Sequence, residues 1–464
     1  MAGRSARSAG WRYRWTVPFA VAFTLLAVGF VYELWRHVGT AGDFWTFWAA
    51  SRALHAGLDP YVTGNLVRVA ALPAGAGAPG PFLSPIVLAQ IFEPLGALSF
   101  TAARLVWLGL NLALSAALVP LLLRLGGIQL RWRSVLAGTA LLLAFQPYDL
   151  TLWLGQTDVL VVVAIAAGWL LIRRGRPYLG GLAVAVAAVD VHLVLAFGLY
   201  FLVTAAGRER RNALLGLATG LVALGVACLA HPADVAQWLL VTLPHAQAAA
   251  IEPWDTLSVL QAGSEILGLQ GGRILAGLLD VALAALAILA WRRRGATPDR
   301  DLAVCAALAL ATTTFAYNQD YLLLVLAFPF IARQWRADAS WVWTGALAFS
   351  LAVGFGLAEL TGGPVAPNHA AFIIGAPLLA LAVLGCLPTF RTRRGRVHRL
   401  WAAAWALATV GGYAAVTVSG SEIGAELLML CGVLAFLVLV GWHAARGVPE
   451  GPTSRGDQGL GAEG

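Results

Sequence analysis

The chain has 464 residues, 59% of them hydrophobic and only 12% charged, with a mean hydropathy of +0.77. So few charges exclude an ordinary soluble domain, and apolar runs of spanning length recur along the chain, as in a polytopic helical membrane protein. The net charge of +8 does not point to nucleic acid, because all 31 basic residues are arginines and they cluster between the apolar runs. Those runs are continuous and Leu/Ala-rich rather than alternating, which argues against a β-barrel. Cys228, Cys305, Cys386 and Cys431 lie inside them without CxxC spacing and read as buried thiols.

Residues 1–15, with Arg4, Arg7, Arg12 and Arg14 and no small-residue cleavage site, read as a cytoplasmic N-terminus ahead of a retained first span, Thr16 to about Trp35. An outer loop, 37–100, follows. Within it "GDFWTFWAASRALHAGLDPY" (42–61) sets Phe44, Phe47, Trp48 and Leu54 on one helical face with Gly57 as a stop, the pattern of an amphipathic helix lying in the interface. The run Phe82–Leu98, broken by Pro85, Glu93 and Pro94, is expected to be a short helix that stays on the outer side, since a full crossing would invert everything after it. The arginine-rich connections 124–133, 173–177, 207–212, 292–300, 333–336 and 391–399 then all face the cytoplasm. Arg36, Arg52, Arg68, Arg104 and Arg273 are the exceptions. These cytoplasmic turns read as short, basic and uninformative.

Tyr178–Val203 is longer than one crossing needs and is expected to form two short helices that meet near Asp190–His192. A second long outer segment covers 231–270, supporting spans fill 336–445, and the Gly/Pro-rich tail 446–464 reads as disordered. The expected fold is an all-α polytopic transmembrane bundle of about 12–14 spans.

Acids, amides and histidines gather in the outer connections. Asp43 reads either as a helix N-cap or as a general base whose partial desolvation raises its basicity. Asp190 and His192 either pair to close a turn or form a functional pair at a helix break. Gln156 and Asp158 after "WLG", and Asn318 and Asp320 in "YNQD", read as interfacial caps and turns or as parts of a site. His231 and His245 read as loop histidines. No HExxH, Walker or G-x-G-x-x-G motif supports a zinc hydrolase or a nucleotide cofactor. The acids lack diagnostic ligand spacing, so no metal is assigned and metal dependence stays open.

Read in order, "GDFWTFWAASRALHAGLDPY", "FLSPIVLAQIFEPLGAL", "ARLVWLGLNLAL", "LWLGQTDVLVVVAIAAGWLLIRRGRPYLGGLAVAVAAVDVHL" and "ATTTFAYNQDYLLLVLAFPFI" resemble the polyprenyl-phosphate-sugar-dependent glycosyltransferases of family eighty-seven. These have the GT-C membrane fold and include bacterial α-mannosyltransferases. The resemblance covers about residues 16–335 and is most specific from 155 to 182. It implies that Asp43 stands where the family has its catalytic base and that Gly155-Gln156 matches a Gly-Gln near the active site. Leu83-Ser84-Pro85 keeps only the last Pro of the family's Tyr-Pro-Pro. Where relatives carry Lys-Pro this chain has Val191-His192 after Asp190, so His192 would replace the Lys that meets the lipid phosphate either as a protonated group, which Asp190 favours, or as a neutral donor. "YNQDY" matches the late segment in which relatives carry Ser-Trp-His-His or Tyr-Asp-Tyr-Asp, and Asn318 or Asp320 is expected at the sugar.

The implied activity is an inverting transfer of a sugar, mannose first, from a polyprenyl-phosphate donor to a lipid or glycan acceptor. Asp43 would be the base, and Arg52, Arg68, Gln156, Asp158, Asp190, His192, Asn318 and Asp320 would bind the donor. No cofactor beyond the lipid-linked sugar is implied. The expected location is the bacterial inner membrane among its lipids, with the site facing outward. Two other readings remain: a lipid or solute transporter working through Asp190 and His192, and a non-catalytic relative marked by the altered Lys-Pro position.

Overall fold

The computed structural model describes residues 42–70, 80–143, 145–245, 259–292, 298–313 and 317–337, with Thr24, Ala27, Val28 and Val31. The N-terminus 1–15, most of the first span, residues 246–258 of the second long loop, the supporting spans from 338 and the tail 446–464 lie outside the described residues. Among the described residues the regular structure is helical: α1 Gly42–His55, α2 Thr63–Ala70, α3 Ile86–Gly96, α4 Phe100–Leu125, α5 Trp132–Leu143, α6 Gln146–Leu154 and α7 Asp158–Arg173. Next come α8 Pro177–Val186, a 3₁₀ turn Ala187–Val189, α9 Val191–Thr204, α10 Arg208–Cys228, α11 Pro232–Gln237 and a π-helical turn Trp238–Thr242. The series closes with α12 Val259–Arg292, α13 Pro298–Thr312, a ten-residue 3₁₀ stretch Asn318–Ala327, and α14 Phe328–Ala337.

Among the described residues three helical segments, Phe100–Leu125, Arg208–Cys228 and Leu267–Leu289, are long and apolar enough to cross a membrane; α5 with α6, bent by 69°, makes a fourth if the pair counts as one span. The other apolar helices are short. Tyr178–Val203 is broken as its sequence predicts: α8 and its 3₁₀ turn end at Asp190, whose φ −124° and ψ 83° are non-helical, and α9 starts again at Val191.

The ends of these helices sort by chemistry. At one end, Arg173 at the close of α7 donates to the Leu125 carbonyl (2.6 Å) and to Asp299 (2.9 Å). Arg333 of α14 pairs with the same Asp299 at 2.7 Å. Beside them Asp301 accepts from Tyr200 (3.0 Å) and pairs with Arg210 (3.6 Å) and Arg300 (3.3 Å). Five of the arginine-rich connections thus meet in one layer, and the basic turns prove more than inert, because they neutralise two carboxylates that are almost wholly buried at the start of α13. The rest of α13 is buried through Ala311, as an all-round apolar helix must be. Asp43, Gln156, Asp158, Asp190, His192 and Asp320 lie at the opposite helix ends. One helix, α7, runs from Asp158 to Arg173, so the two layers stand about 22 Å apart.

Small residues let the helices close up, as is usual where lipid supplies no hydrophobic drive to association. A Cβ at Gly181 of α8 would run into the Ala213 carbonyl of α10, and one at Gly216 of α10 into the Tyr178 carbonyl of α8. α3 stays with the acid-bearing end: Gln90 donates to Ala227 at the far end of α10 (3.0 Å), and Trp238 donates to Leu83 (2.8 Å).

The buried ion pairs carry a different weight from exposed ones. Asp299→Ala leaves Arg173 and Arg333 facing each other without their shared carboxylate and is expected to lower stability by about 3–5 kcal/mol. Glu93→Ala, which removes only the exposed pair with His55, is expected to change it by less than about 1 kcal/mol. Apparent melting temperatures of the two purified variants check this difference.

Candidate active site

α1 is not a helix with one apolar stripe. Trp45, Thr46, Ala49, Ala50 and Ser51 are buried along with Phe44, Phe47, Trp48 and Leu54, so the helix is enclosed on nearly every side by protein. The reason is aromatic packing. Phe44 and Phe47 meet Phe92 of α3, Trp45 and Trp48 meet Phe100 of α4, and Phe92 stacks against Trp107. A Trp/Phe-rich helix can satisfy several partners at once, and both α3 and α4 pack their aromatic side chains against it.

Enclosure fixes where the first carboxylate points. Gly42, with φ +43°, begins α1 against the Leu154 carbonyl, and a Cβ there would stand 2.9 Å from that oxygen. Across the joint, Gly155 ends α6 in the left-handed conformation (φ +74°), and a Cβ at that position would overlap Arg104 and come within 2.6 Å of the Phe44 Cβ. Two bare backbones thus abut, and the next residue on each side completes the contact: Gln156 Nε2 donates to Asp43 Oδ2 at 2.5 Å.

Arg104 locks this joint from α4. It is 1% exposed, donates to the Leu152 and Trp153 carbonyls, and lies 5.5 Å from the Phe44 ring centre. Trp107, one turn on, donates to the Gly155 carbonyl at 2.8 Å. Both residues escaped the sequence reading, where Arg104 counted only as an exception to the charge rule. An arginine inside an apolar helix is itself a functional signal.

Asp158 follows Gln156 by two residues and opens a second group. It is 2% exposed, and carboxylate oxygens of Asp158, Asp190 and Asp320 all lie within 4.8 Å of one another. His192 stands between two of them, with Nδ1 3.1 Å from Asp190 and Nε2 3.3 Å from Asp320. Only an imidazolium can donate from both ring nitrogens, so this geometry suits the charged form. Thr157 donates to Asp190 (3.5 Å), and the Tyr317 N–H donates to Asp320 (2.8 Å), fixing the carboxylate at the mouth of the 3₁₀ stretch. The three acids come from the start of α7, the break before α9 and the turn after α13. These are oxygen ligands of a kind that could hold a hard cation.

The sequence-derived candidates therefore divide. Asp43 and Gln156 form one pair, while Asp158, Asp190, His192 and Asp320 form the adjoining cluster. Arg52 sits nine residues along α1 from Asp43, about 13 Å away along the axis, with its guanidinium 4.9 Å from the Trp48 ring centre. Arg68 is exposed on α2, and among the described residues neither arginine forms an ion pair with the cluster. The Asn318 side chain lies outside the described residues.

A further polar group flanks the site. Tyr61 donates to the Ser84 carbonyl (3.1 Å), and Asp59 accepts from the Tyr61 N–H (2.7 Å). Burial and then the Asp59 charge push Asp234 above the usual carboxylate range, and His231, 3.6 Å away, works against them.

Two glycines with the same backbone conformation separate the effects at the joint. Gly175→Ala, at φ +74° with nothing within 4 Å, should cost about 1–2 kcal/mol, the left-handed term alone. Gly155→Ala adds overlap with Arg104 and Phe44 and should cost a further 1–3 kcal/mol or so. Melting of the two variants side by side measures the difference.

The model of glycosyltransferase family 87 matches residues 82–316. That stretch holds Arg104, Gln156, Asp158, Asp190 and His192; Asp43 precedes it and Asp320 follows it. A polyprenol-phosphate-mannose-dependent alpha-(1-2)-phosphatidylinositol pentamannoside mannosyltransferase of Mycolicibacterium smegmatis is 28% identical over 335 residues, 71% of this chain and 73% of that protein. No solved structure matches the chain. A family match over half of the sequence, on a bundle of apolar helices, makes this chain a member of glycosyltransferase family 87 and a multi-pass membrane glycosyltransferase.

Proposed function

We propose that the protein transfers mannose from a polyprenyl-phosphate donor to a hydroxyl of a lipid-borne glycan, with inversion, at the outer face of the bacterial inner membrane. The observation that carries this reading is the Asp43 carboxylate, held by Gln156 next to a second polar cluster at the end of the bundle opposite the arginines. The donor and acceptor classes are supported by the name of the mycobacterial relative. The facing is supported by the arginine layer, which the positive-inside rule assigns to the cytoplasm.

The chemistry needs one base. Asp43 takes the proton of the acceptor hydroxyl as its oxygen bonds to the anomeric carbon, and the bond from that carbon to the phosphate oxygen breaks with its electrons going to the phosphate. The phosphate is already a good leaving group and needs no acid. A single displacement from the opposite face inverts the anomeric centre, by the logic that governs inverting glycosidases. In this reading Gln156, as a donor, and the positive charge of His192 between Asp190 and Asp320 would steady the departing phosphate. Arg52 and Arg68 remain candidates for holding the phosphate at the rim.

Asp43→Asn keeps a hydrogen-bonding group against Gln156 but cannot accept the proton, so transfer of labelled mannose from polyprenyl phosphate should fall by about 10²–10⁴-fold while the protein still melts as wild type. Wild-type turnover by this variant refutes the base assignment. For the facing, single cysteines at Val62 and Arg174 in a cysteine-free background report it directly. Impermeant maleimide on intact cells should label the first and spare the second, and the reverse pattern would place the site in the cytoplasm.

A further inference from the structure

We infer that Asp158, Asp190 and Asp320 together bind one hard divalent cation of the Ca2+ or Mn2+ class. The site stands on these carboxylates alone, and only its service to the donor phosphate rests on the function proposed above.

Geometry comes first. Oxygens bound to one Ca2+ at 2.3–2.6 Å can be at most about 4.6–5.2 Å apart, and a smaller ion draws them about half an ångström closer. The three carboxylates have oxygens within 4.8 Å of one another, so they reach a common ion with little or no movement. Charge points the same way. With all three carboxylates ionised beside a His192 imidazolium, the cluster would carry two surplus negative charges, which a divalent ion would balance.

Hydrogen bonding supplies an independent sign. Both Asp190 oxygens and one Asp320 oxygen are engaged by His192, Thr157 or the Tyr317 N–H, contacts that orient a ligand as outer partners do around metals. Asp158 differs. It is 98% buried by its 2% exposure, and its Oδ1 has no hydrogen-bond partner among the described residues. A buried carboxylate with an unpartnered oxygen, set beside two other carboxylates, calls for either a cation or a proton. All-oxygen ligands favour the hard ions, and the missing thiols and second imidazole disfavour Zn2+.

The ion would also give the donor's phosphate a positive partner beside His192. Mg2+-like ions commonly sit on one or two carboxylates and a substrate phosphate in this manner.

Protein stripped of metal and reconstituted in neutral phosphatidylcholine nanodiscs should bind one Mn2+ per chain by electron paramagnetic resonance, with Ca2+ displacing it. Asp158→Asn and Asp320→Asn should weaken that affinity by about 10–100-fold. Asp234→Asn, outside the cluster, should bind as wild type, and Asp43→Asn should bind Mn2+ normally even with transfer lost, which keeps failure of this inference distinct from failure of the base assignment. Should the cluster variants misfold, carbodiimide modification of the wild type locates the ion, because Mn2+ should protect the peptides carrying residues 158 and 320. No bound Mn2+ at millimolar concentration, no protection, or unchanged affinity in well-folded cluster variants overturns the proposal and leaves protons as the compensating charge. Chelation that empties the site without slowing transfer overturns its part in donor binding.

Discussion

A bundle of apolar helices has few places to keep a charge, and the arrangement of this protein follows from that shortage. Carboxylates and guanidinium groups are tolerated at helix ends, where backbone groups are already unsatisfied and where partners from several helices converge. Asp299 and Asp301 survive burial because arginines from four connections reach them. At the other end, among the described residues, His192 is shared between Asp190 and Asp320, and Gln156 donates to Asp43. One end is an electrostatic clamp closed on itself. The other gathers three carboxylates around a single histidine, with a fourth at the neighbouring joint.

The joint between α1 and α6 fixes the geometry of that fourth carboxylate. Gly42 and Gly155 remove the side chains that would separate two helix ends, Arg104 and Trp107 pin the carbonyls of the second, and the aromatic enclosure of α1 fixes the first. Asp43, the proposed base, is therefore positioned by residues of the joint and of the aromatic packing around α1. Small displacements at such a joint are costly for a reaction that depends on near-attack distances.

Much of this was legible in the sequence, unevenly. The arginine split predicted which connections would meet, and a single polar interruption, Asp190 to His192, predicted the helix break, because an apolar run has no other reason to contain an acid. The pairing of Asp43 with Gln156 could be anticipated only through resemblance, since 113 residues separate them and no local pattern links the two. Four apolar positions of α1 suggest a single stripe, whereas Trp45, off that face, is buried as well and protein encloses nearly the whole helix. Burial of every side was a property of the neighbours, not of the helix. Arg104 was visible yet was treated as a topological exception. The convergence of Asp158, Asp190 and Asp320 is purely tertiary, assembled from three chain segments whose spacing carries no ligand signature.

The shortness of the helices around the acids has its own consequence. α7 has 16 residues and α9 has 14, so each spans about 21–24 Å against a hydrocarbon layer of about 30 Å. Longer neighbours such as α4, with 26 residues, match the full thickness. α7 is enclosed by protein, but α9 leaves Leu195 and Leu202 exposed, and a hydrocarbon layer beside that short helix would have to thin to match it, a hydrophobic mismatch confined to one flank. On the proposed function, a headgroup drawn into such a dimple would come nearer the level of the carboxylates without leaving its leaflet, which would favour reactants carried on lipid anchors.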